Sequence, residues 1–465
     1  MSDIDVTIIG GGSGGYVAAI KAAHLGLKTV LIEKDKLGGV CLNRGCIPTK
    51  VLVSTAEILN HIKRADEFGI KVGEFSLNFT KVMRRKEMIT QRLTGGVGQL
   101  MKANKIRVIN GEGNILEPGK VEVLNKERGK EIVETKNIIL ATGSSVMRIP
   151  IPGLQNEGVI TSDEALNLEE LPEKILIIGG GVVGIEFAGI FNSFGAEVTV
   201  VEMLPRVLLT VDEEIAHRLT TILKRSGINI LTDSKVENIE EINGNLEVTI
   251  STLQEKQKLS TEKVLLSAGR IPDWGNIDVN KLGLALDNRA IKVDENMKTN
   301  IPGIYAIGDV VGKIMLAHVA SAEGKVAVEN IAGIDKAIDY RVVPNCVFSA
   351  PEAASVGLTE IEARKRFDNI KVSKFPYMAN GKALGMGETE GMVKVVADSE
   401  TNEILGVHIL GVHASDLIAE ATLGLSLEVT AEEILSTIHA HPTLAEIIAE
   451  ATEGIVGKPI HIYRG

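Results

Sequence analysis

The feature that most constrains this chain is a glycine-rich turn that occurs twice in the same setting, 169 residues apart, from Gly10 to Gly179. Each copy satisfies G-x-G-x-x-G, follows a short apolar stretch, opens a segment of helical character and precedes an acid that ends the next apolar stretch. The positions are Gly10, Gly12, Gly15 and Glu33 in the first copy and Gly179, Gly181, Gly184 and Glu202 in the second. The strand, turn, helix and strand order predicts two nucleotide-binding modules.

The residue types explain what each module can bind. Glycines let the backbone approach a pyrophosphate at a helix N-terminus, and the acids can accept hydrogen bonds from ribose hydroxyls. A carboxylate at Glu202 would repel a ribose 2′-phosphate, and the next basic residue is Arg206. The second module is therefore expected to prefer NAD to NADP. A Gly-rich turn without a ligand is the alternative, and the repeated context argues against it.

The pattern along the 465 residues divides the chain into parts. Two Rossmann-like dinucleotide-binding domains are expected at residues 1–148 and 149–270. Residues 271–341 form a central segment that returns to the first domain, because an apolar strand closes there on Gly308 and Asp309. From residue 342 to 465, short alternating runs and amphipathic helices indicate a third domain. The expected fold class is α/β, with a C-terminal α+β domain.

Composition removes several function classes. The 50 Lys and Arg against 61 Asp and Glu give a net charge of −11, which disfavours a nucleic-acid partner. The start lacks a basic region, and no later stretch has the ~18 apolar residues of a membrane span. A cytoplasmic location is therefore expected. Only 3 cysteines occur, too few for a disulfide-stapled fold.

Two of those cysteines, Cys41 and Cys46, lie in residues 38–50, just after the first acid. Five residues of ideal helix rise about 7.5 Å, more than a disulfide spans, so Gly45 is expected to distort the backbone. Arg44 and a helix beginning near Pro48 would stabilise a thiolate. A metal site would need a second ligand pair, and Cys346 stands alone, so no metal is expected. Two inert buried cysteines remain the alternative.

Near the C-terminus, His441 is followed five residues later by Glu446. A thiol-exchange enzyme needs a base for an incoming dithiol, since only the thiolate attacks. A carboxylate beside an imidazole fixes its tautomer and raises its basicity. Taken alone, a His and a Glu at this spacing are more often structural than catalytic.

Together, the two turns, the run at residues 38–50 and the run from His441 to Glu446 resemble the pyridine nucleotide-disulfide oxidoreductases, specifically their lipoyl-oxidising branch. The resemblance covers essentially the whole chain. It implies an FAD-binding first domain, an NAD-binding second domain and a dimerisation (interface) third domain. It further implies that Cys41 faces substrate and Cys46 faces the flavin, as a redox disulfide, with His441 and Glu446 completing the cysteine site of the partner in a homodimer.

The same resemblance implies a set of cofactor-binding positions. Glu186 is expected to face Lys50 near the flavin. The FAD positions are Gly10, Gly12, Gly15, Glu33, Lys50, Gly113, Ala141, Thr142, Gly143, Asp309, Met315, Leu316, Ala317 and His318. The NAD positions are Gly179, Gly181, Gly184, Glu202, Val236 and Gly269.

The implied partners are lipoyl domains and the acyltransferase core of a 2-oxoacid dehydrogenase complex, or the lipoyl protein of glycine cleavage. Residues 398–453 contain acids but no Lys or Arg, which suits a basic docking partner or simply a solvated face. Three alternatives remain. A glutathione reductase type is expected to carry basic residues where this chain has Glu202, and a mercuric reductase type is expected to carry additional cysteines at its C-terminus. The third alternative is a non-catalytic FAD-binding subunit.

Overall fold

The computed structural model describes residues 3–125 and 129–462. Three five-stranded sheets organise these residues, two of them parallel and one antiparallel. This arrangement confirms the expected fold class of two dinucleotide-binding domains and a C-terminal α+β domain. Within the described ranges, no helix is both long and apolar enough to cross a membrane.

The first parallel sheet is built from strands whose residues are almost all buried, as strands covered on both faces must be. Its edge strand Ile304–Ala306 pairs with Asn137–Leu140, so the central segment returns to this sheet. The strand order is Ile304–Ala306, Asn137–Leu140, Val6–Ile9, Thr29–Glu33 and Arg107–Asn110.

Helices cover one face of this sheet, and a three-stranded antiparallel sheet packs against the other face. Two of the helices, Ser13–His24 and Ala317–Ile331, pack backbone to backbone, since a Cβ on Gly324 would lie 2.7 Å from the carbonyl oxygen of Gly14. Close packing brings both helix N-termini to the same end of the sheet. The remaining helices of this part are Gly39–Arg44, Cys46–Lys63, Phe79–Ala103 and Val279–Leu282, with 3-10 turns at Ala65–Phe68 and Gly308–Val311.

The second parallel sheet repeats the first. Its central strand Lys174–Ile178 is flanked by Glu197–Val201 and Lys263–Leu266, as Val6–Ile9 is flanked in the first sheet. The full order is Asn229–Leu231, Glu197–Val201, Lys174–Ile178, Lys263–Leu266 and Val159–Thr161. Its helices are Ser162–Ala165, Val182–Phe194 and Glu213–Arg225.

The repeat extends beyond the motifs, because each parallel sheet is accompanied by a three-stranded antiparallel sheet at the same point of the chain. The first comprises Glu112–Glu117, Lys120–Asn125 and Gly129–Glu134, and the second Lys235–Ile242, Asn245–Ser251 and Lys256–Thr261. Two short strand pairs join Ser144–Val146 to Arg270–Pro272 and Leu286–Asp287 to Ala290–Ile291.

The C-terminal domain is an antiparallel sheet covered by helices. The strand order is Asn345–Val347, Ala353–Gly357, Ile404–Leu410, Met392–Asp398 and Ile370–Pro376. The helices are Glu360–Arg366, Gly381–Met386, Ala414–Ser426, Ala431–Ser436 and Glu446–Val456, with a 3-10 turn at Tyr377–Ala379. The strands and helices expected for residues 342–465 are therefore confirmed.

Candidate active site

Both glycine turns have the geometry that their sequence requires. Gly10 and Gly179 adopt φ of +106° and +108°, which favour glycine. A Cβ on Gly15 would lie 1.8 Å from the carbonyl oxygen of Gly10, and one on Gly184 would lie 2.0 Å from that of Gly179. Any side chain at the last glycine of either motif would therefore force the helix away from the turn.

The acid that follows each turn is bound to the turn itself. Glu33 accepts from the backbone N–H of Gly11 at 2.6 Å and of Asp35 at 2.8 Å. Glu202 repeats both bonds, with Gly180 at 2.6 Å and Leu204 at 2.8 Å. Each carboxylate oxygen keeps a second lone pair, so contact with a ribose hydroxyl remains a prediction. The structure adds that these acids fix the turns.

The residues predicted to hold FAD fit a polar ligand on two observations. The hydroxyl oxygen of Thr142 is buried and has no hydrogen-bond partner within the described residues, which is unusual for a buried hydroxyl. A Cβ on Gly143 would meet no described atom within 4 Å, and one on Gly12 would meet only Gly39 at 3.9 Å. A nucleotide lying over these glycines would offer Thr142 a partner.

Asp309 lies at the same end of the sheet, in the turn after strand Ile304–Ala306. The hydroxyl of Ser144 donates to Asp309, and Arg270 donates to Ser144 at 2.8 Å, which links three segments far apart in sequence. The neighbouring N–H of Gly308 donates to the buried Glu323 at 2.5 Å. The turn that carries Asp309 is thus fixed by residues that sequence patterns did not single out.

The other predicted cofactor positions are placed less directly. Gly113 lies within strand Glu112–Glu117, where a Cβ would stand 3.0 Å from Ile9. Val236 is 3% exposed and its side chain belongs to a core, so only its backbone is available to a nucleotide. Gly181 lies within the second turn, where a Cβ would meet no described atom within 4 Å, and Gly269 has φ of +115°. Met315 to His318 lead into the N-terminus of helix Ala317–Ile331, where the His318 ring contacts the carbonyl of Pro344 at 3.0 Å.

The cysteine pair lies where one helix ends and the next begins. Cys41 is in helix Gly39–Arg44 and Cys46 opens helix Cys46–Lys63, with Gly45 as the break between them. The expected distortion at Gly45 is therefore confirmed, while the second helix begins at Cys46 rather than near Pro48. Both cysteines are free thiols.

The two thiols share a proton. A hydrogen bond from Cys46 lowers the pKa of Cys41 to about 7, against the opposing effect of burial, and the hydroxyl of Ser13 and the charge of Lys50 lower it further. The same hydrogen bond, followed by burial, raises the pKa of Cys46. The pair therefore begins to carry a negative charge near neutral pH, and a thiolate is the nucleophile in disulfide exchange.

Lys50 is the cation that faces this pair, one helical turn beyond Cys46. Its Nζ lies 2.9 Å from both carboxylate oxygens of Glu186, as the resemblance implied, and 4.1 Å from the centre of the Phe348 ring. The N–H of Phe348 also donates to Glu186, at 3.0 Å. These contacts among Lys50, Glu186 and Phe348 therefore join the first, second and third domains beside the cysteines. Phe348 had no signal in the sequence.

Arg44 forms ion pairs with two carboxylates and does not face the cysteine pair. Its guanidinium lies 3.2 Å from Asp35 and 3.6 Å from Asp163, which lies in helix Ser162–Ala165 of the second domain. The expectation that Arg44 stabilises the thiolate is wrong in this structure, because the two carboxylates hold its charge. Lys50 supplies that stabilisation instead.

His441 and Glu446 form a pair, with Nδ1 of the ring 2.8 Å from Oε1. The other carboxylate oxygen accepts from the N–H of Thr443 at 2.8 Å. Partial burial works against ionisation of Glu446, but these two bonds outweigh it and lower its pKa. The side chain of His441 is 80% exposed. Among the described residues, no hydrogen bond joins this ring to Cys41 or Cys46 of the same chain.

The third cysteine differs from this pair. Burial raises the pKa of Cys346 to about 11, which keeps it a thiol. In residues 3–125 and 129–462, no group of three or more His, Cys, Asp or Glu is arranged to hold a metal ion.

Comparison with known proteins decides the family. Residues 4–324 match the model of the pyridine nucleotide-disulphide oxidoreductases, and residues 343–452 match the dimerisation domain of the same family. The chain belongs to the pyridine nucleotide-disulphide oxidoreductases. It is therefore an oxidoreductase of the flavin disulfide class, and its C-terminal domain is the one through which this family dimerises.

Individual members of the family resemble the chain over its full length. A dihydrolipoyl dehydrogenase of Bacillus subtilis is 46% identical over 99% of both chains. One of Geobacillus stearothermophilus is 40% identical over 99% of this chain and 98% of its own. Among solved structures, the HOCl-induced flavoprotein disulfide reductase of Escherichia coli matches with a TM-score of 0.87 and 28% identity, over 97% of this chain and 99% of its own.

Proposed function

We propose that this oxidoreductase is a dihydrolipoyl dehydrogenase, which oxidises protein-bound dihydrolipoyl groups to lipoyl and reduces NAD. The observation that carries the proposal is the cysteine pair with its shared proton, held under Lys50, in a chain whose full-length relatives bear that name. Bound FAD would supply the transfer of the electron pair from the dithiol to NAD as hydride. The cofactors of the protein are FAD and NAD, in the first and second domains.

The thiol chemistry begins with the oxidised pair. One substrate thiol loses its proton to His441 and the resulting thiolate attacks Sγ of Cys41. The Cys41–Cys46 bond breaks and Cys46 leaves as a thiolate. The second substrate thiol then attacks the mixed disulfide and its proton passes to the departing sulfur of Cys41, which releases lipoyl and leaves Cys41 as a thiol and Cys46 as a thiolate. Lys50 stabilises the negative charge that the pair now carries.

The proposed assembly is a homodimer in which His441 and Glu446 of one protomer face the cysteines of the other. Two observations support it. The third domain matches the family's dimerisation domain, and the exposed His441 ring makes no hydrogen bond to its own chain's cysteines within the described residues. Glu446 would orient the ring through Nδ1, so that Nε2 is the atom that takes the substrate proton.

The remaining assignments are part of the same proposal. Cys41 faces substrate and Cys46 the flavin, and the cofactor positions and domain limits are those expected from the sequence. The open glycines and the unpartnered hydroxyl of Thr142 support the FAD positions. The hydrogen bond from Gly180 to Glu202, which repeats the bond from Gly11 to Glu33 in the first domain, supports the NAD positions. With only 3 cysteines, the chain suits a reducing compartment, and we propose the cytoplasm.

The proposed partners are lipoyl domains together with the acyltransferase core of a 2-oxoacid dehydrogenase complex, or a glycine-cleavage lipoyl protein. Part of the acidic run at residues 398–453 would contact a basic partner. Glu432 and Glu433 are exposed at the start of helix Ala431–Ser436, so they are available to such a partner. A surface of a single charge sign would steer the encounter.

The test is a steady-state comparison of substrates and nucleotides with the FAD-loaded protein. Dihydrolipoamide with NAD is expected to turn over, whereas glutathione disulfide and mercuric ion with NADH or NADPH are not. Faster turnover of glutathione disulfide or mercuric ion would assign the protein to one of the alternative reductases. Failure of all three would favour a non-catalytic FAD-binding subunit.

A further inference from the structure

The segment that carries His441 has little regular structure to hold it. Residues 437–442 lie between helices Ala431–Ser436 and Glu446–Val456 and belong to neither a helix nor a strand. Ile438 is 96% exposed, and the His441 side chain is 80% exposed. With so few buried contacts, the individual hydrogen bonds of this segment decide where its side chains lie.

His439 supplies one of those bonds. Its side chain is 9% exposed, although the residues on either side of it in the segment are open to solvent. Nε2 lies 2.8 Å from Oε1 of Glu420, which belongs to helix Ala414–Ser426. Apart from the His441–Glu446 pair, this is the one side-chain hydrogen bond that ties residues 438–442 to a helix within the described chain.

The second ring nitrogen of His439 is also occupied. Nδ1 lies 3.0 Å from the carbonyl oxygen of Thr437. A carbonyl oxygen and a carboxylate only accept hydrogen bonds, so a ring nitrogen that carries a hydrogen donates to whichever acceptor it faces. Contacts at both nitrogens of a planar ring fix its position and its orientation, and with them the backbone two residues before His441.

We propose that His439 is a positioning residue for His441. Held by Glu420 and by the carbonyl of Thr437, it fixes the segment so that Nε2 of His441 is presented to the substrate dithiol. The inference rests on the proposed role of His441 as base and extends it, because neither the sequence pattern nor the family match assigns a role to His439 or Glu420.

The experiment separates the two half-reactions of the FAD-loaded enzyme by rapid mixing. In His439→Leu and in Glu420→Ala, the rate of flavin reduction by dihydrolipoamide is expected to fall about tenfold to a hundredfold, the cost of a misplaced catalytic group. Reduction by NADH is expected to stay unchanged, since it does not use His441. His439→Gln should recover part of the loss, because its amide can still donate to Glu420.

Two comparisons make the result decisive. If His439 acts through His441, then His439→Leu costs nothing more in a His441→Gln background. The control is His413→Asn, which removes an exposed histidine 3.6 Å from Asp416 at the start of the same helix. Equal losses in both half-reactions, an unchanged dihydrolipoamide rate, or a full additional loss in the His441→Gln background would each overturn the proposal. Failure of the proposed function is distinct, because the unmodified enzyme would then not be reduced by dihydrolipoamide.

Discussion

Lys50 and Glu186, 136 residues apart in sequence, form an ion pair in which Nζ lies 2.9 Å from both carboxylate oxygens. Glu186 is only 6% exposed and lies on helix Val182–Phe194 of the second domain, whereas Lys50 lies on the helix that Cys46 opens. The pair therefore places a fixed positive charge beside the cysteines and anchors it to the neighbouring domain.

Removing that charge should change thiol reactivity. A positive charge nearby lowers the pKa of both cysteines, so Lys50→Met raises it and shifts the onset of thiolate to higher pH. At pH 7, alkylation of the reduced enzyme by iodoacetamide should slow by a factor of about 3 to 10. Lys63→Met is the control, because Lys63 lies on the same helix and donates to the carbonyl of Ser193. Equal alkylation profiles for the two variants would exclude the electrostatic role.

The assignment of the two cysteines can be tested by absorption. If Cys46 faces the flavin, two-electron reduction of Cys41→Ser should still produce a long-wavelength thiolate-to-flavin band. The corresponding Cys46→Ser variant should lack it. A band that survives in Cys46→Ser and vanishes in Cys41→Ser would reverse the assignment.

His441→Gln should lower dihydrolipoamide turnover by about a hundredfold or more, the range that general base catalysis supplies. Electron transfer from NADH to an artificial acceptor should remain largely intact, because that path does not deprotonate a substrate thiol. Glu446→Gln should cost less, since an amide oxygen can still accept from Nδ1. Loss of both activities together in His441→Gln would indicate a folding role.

Nucleotide choice depends on Glu202, whose carboxylate is fixed by Gly180 and Leu204. Arg206 is not free to bind a 2′-phosphate, because its guanidinium donates to the carbonyls of Leu208 at 2.9 Å and Leu209 at 3.1 Å. NADH should be favoured over NADPH by at least tenfold in kcat/KM, or about 1.4 kcal/mol. Equal use of the two nucleotides would contradict this expectation.

Docking through the acidic run should depend on salt, since exposed charges are screened beyond about 10 Å at 0.1 M. Replacing both Glu432 and Glu433 by Gln should weaken binding to a basic acyltransferase segment. The change preserves the helix, because Glu433 closes a capping box with Thr430 that Gln can also make. Glu240→Gln with Glu241→Gln, on the second domain, is the matched control. Binding that ignores both salt and the first pair of substitutions would show that the run is only a solvated face.

The sequence alone determined the features that local patterns encode. The spacing of the glycines specifies a turn in which a Cβ on Gly15 or Gly184 cannot fit, and short continuous apolar stretches specify the strands that precede the turns. The break at Gly45 followed from the reach of a disulfide against the rise of a helix. Such features depend on residues close in the chain, whose geometry the backbone sets.

The tertiary structure decided which charges meet. Arg44, which lies between the two cysteines in sequence, pairs with Asp35 and Asp163, while Lys50 faces the thiols. The Phe348 ring packs against Lys50, and His439 lies within hydrogen-bond distance of Glu420. No spacing in the sequence predicts either contact. The reason is physical: an ionic partner is selected by how helices and sheets from distant parts of the chain pack, and a pattern in one segment carries no information about the surface it will meet.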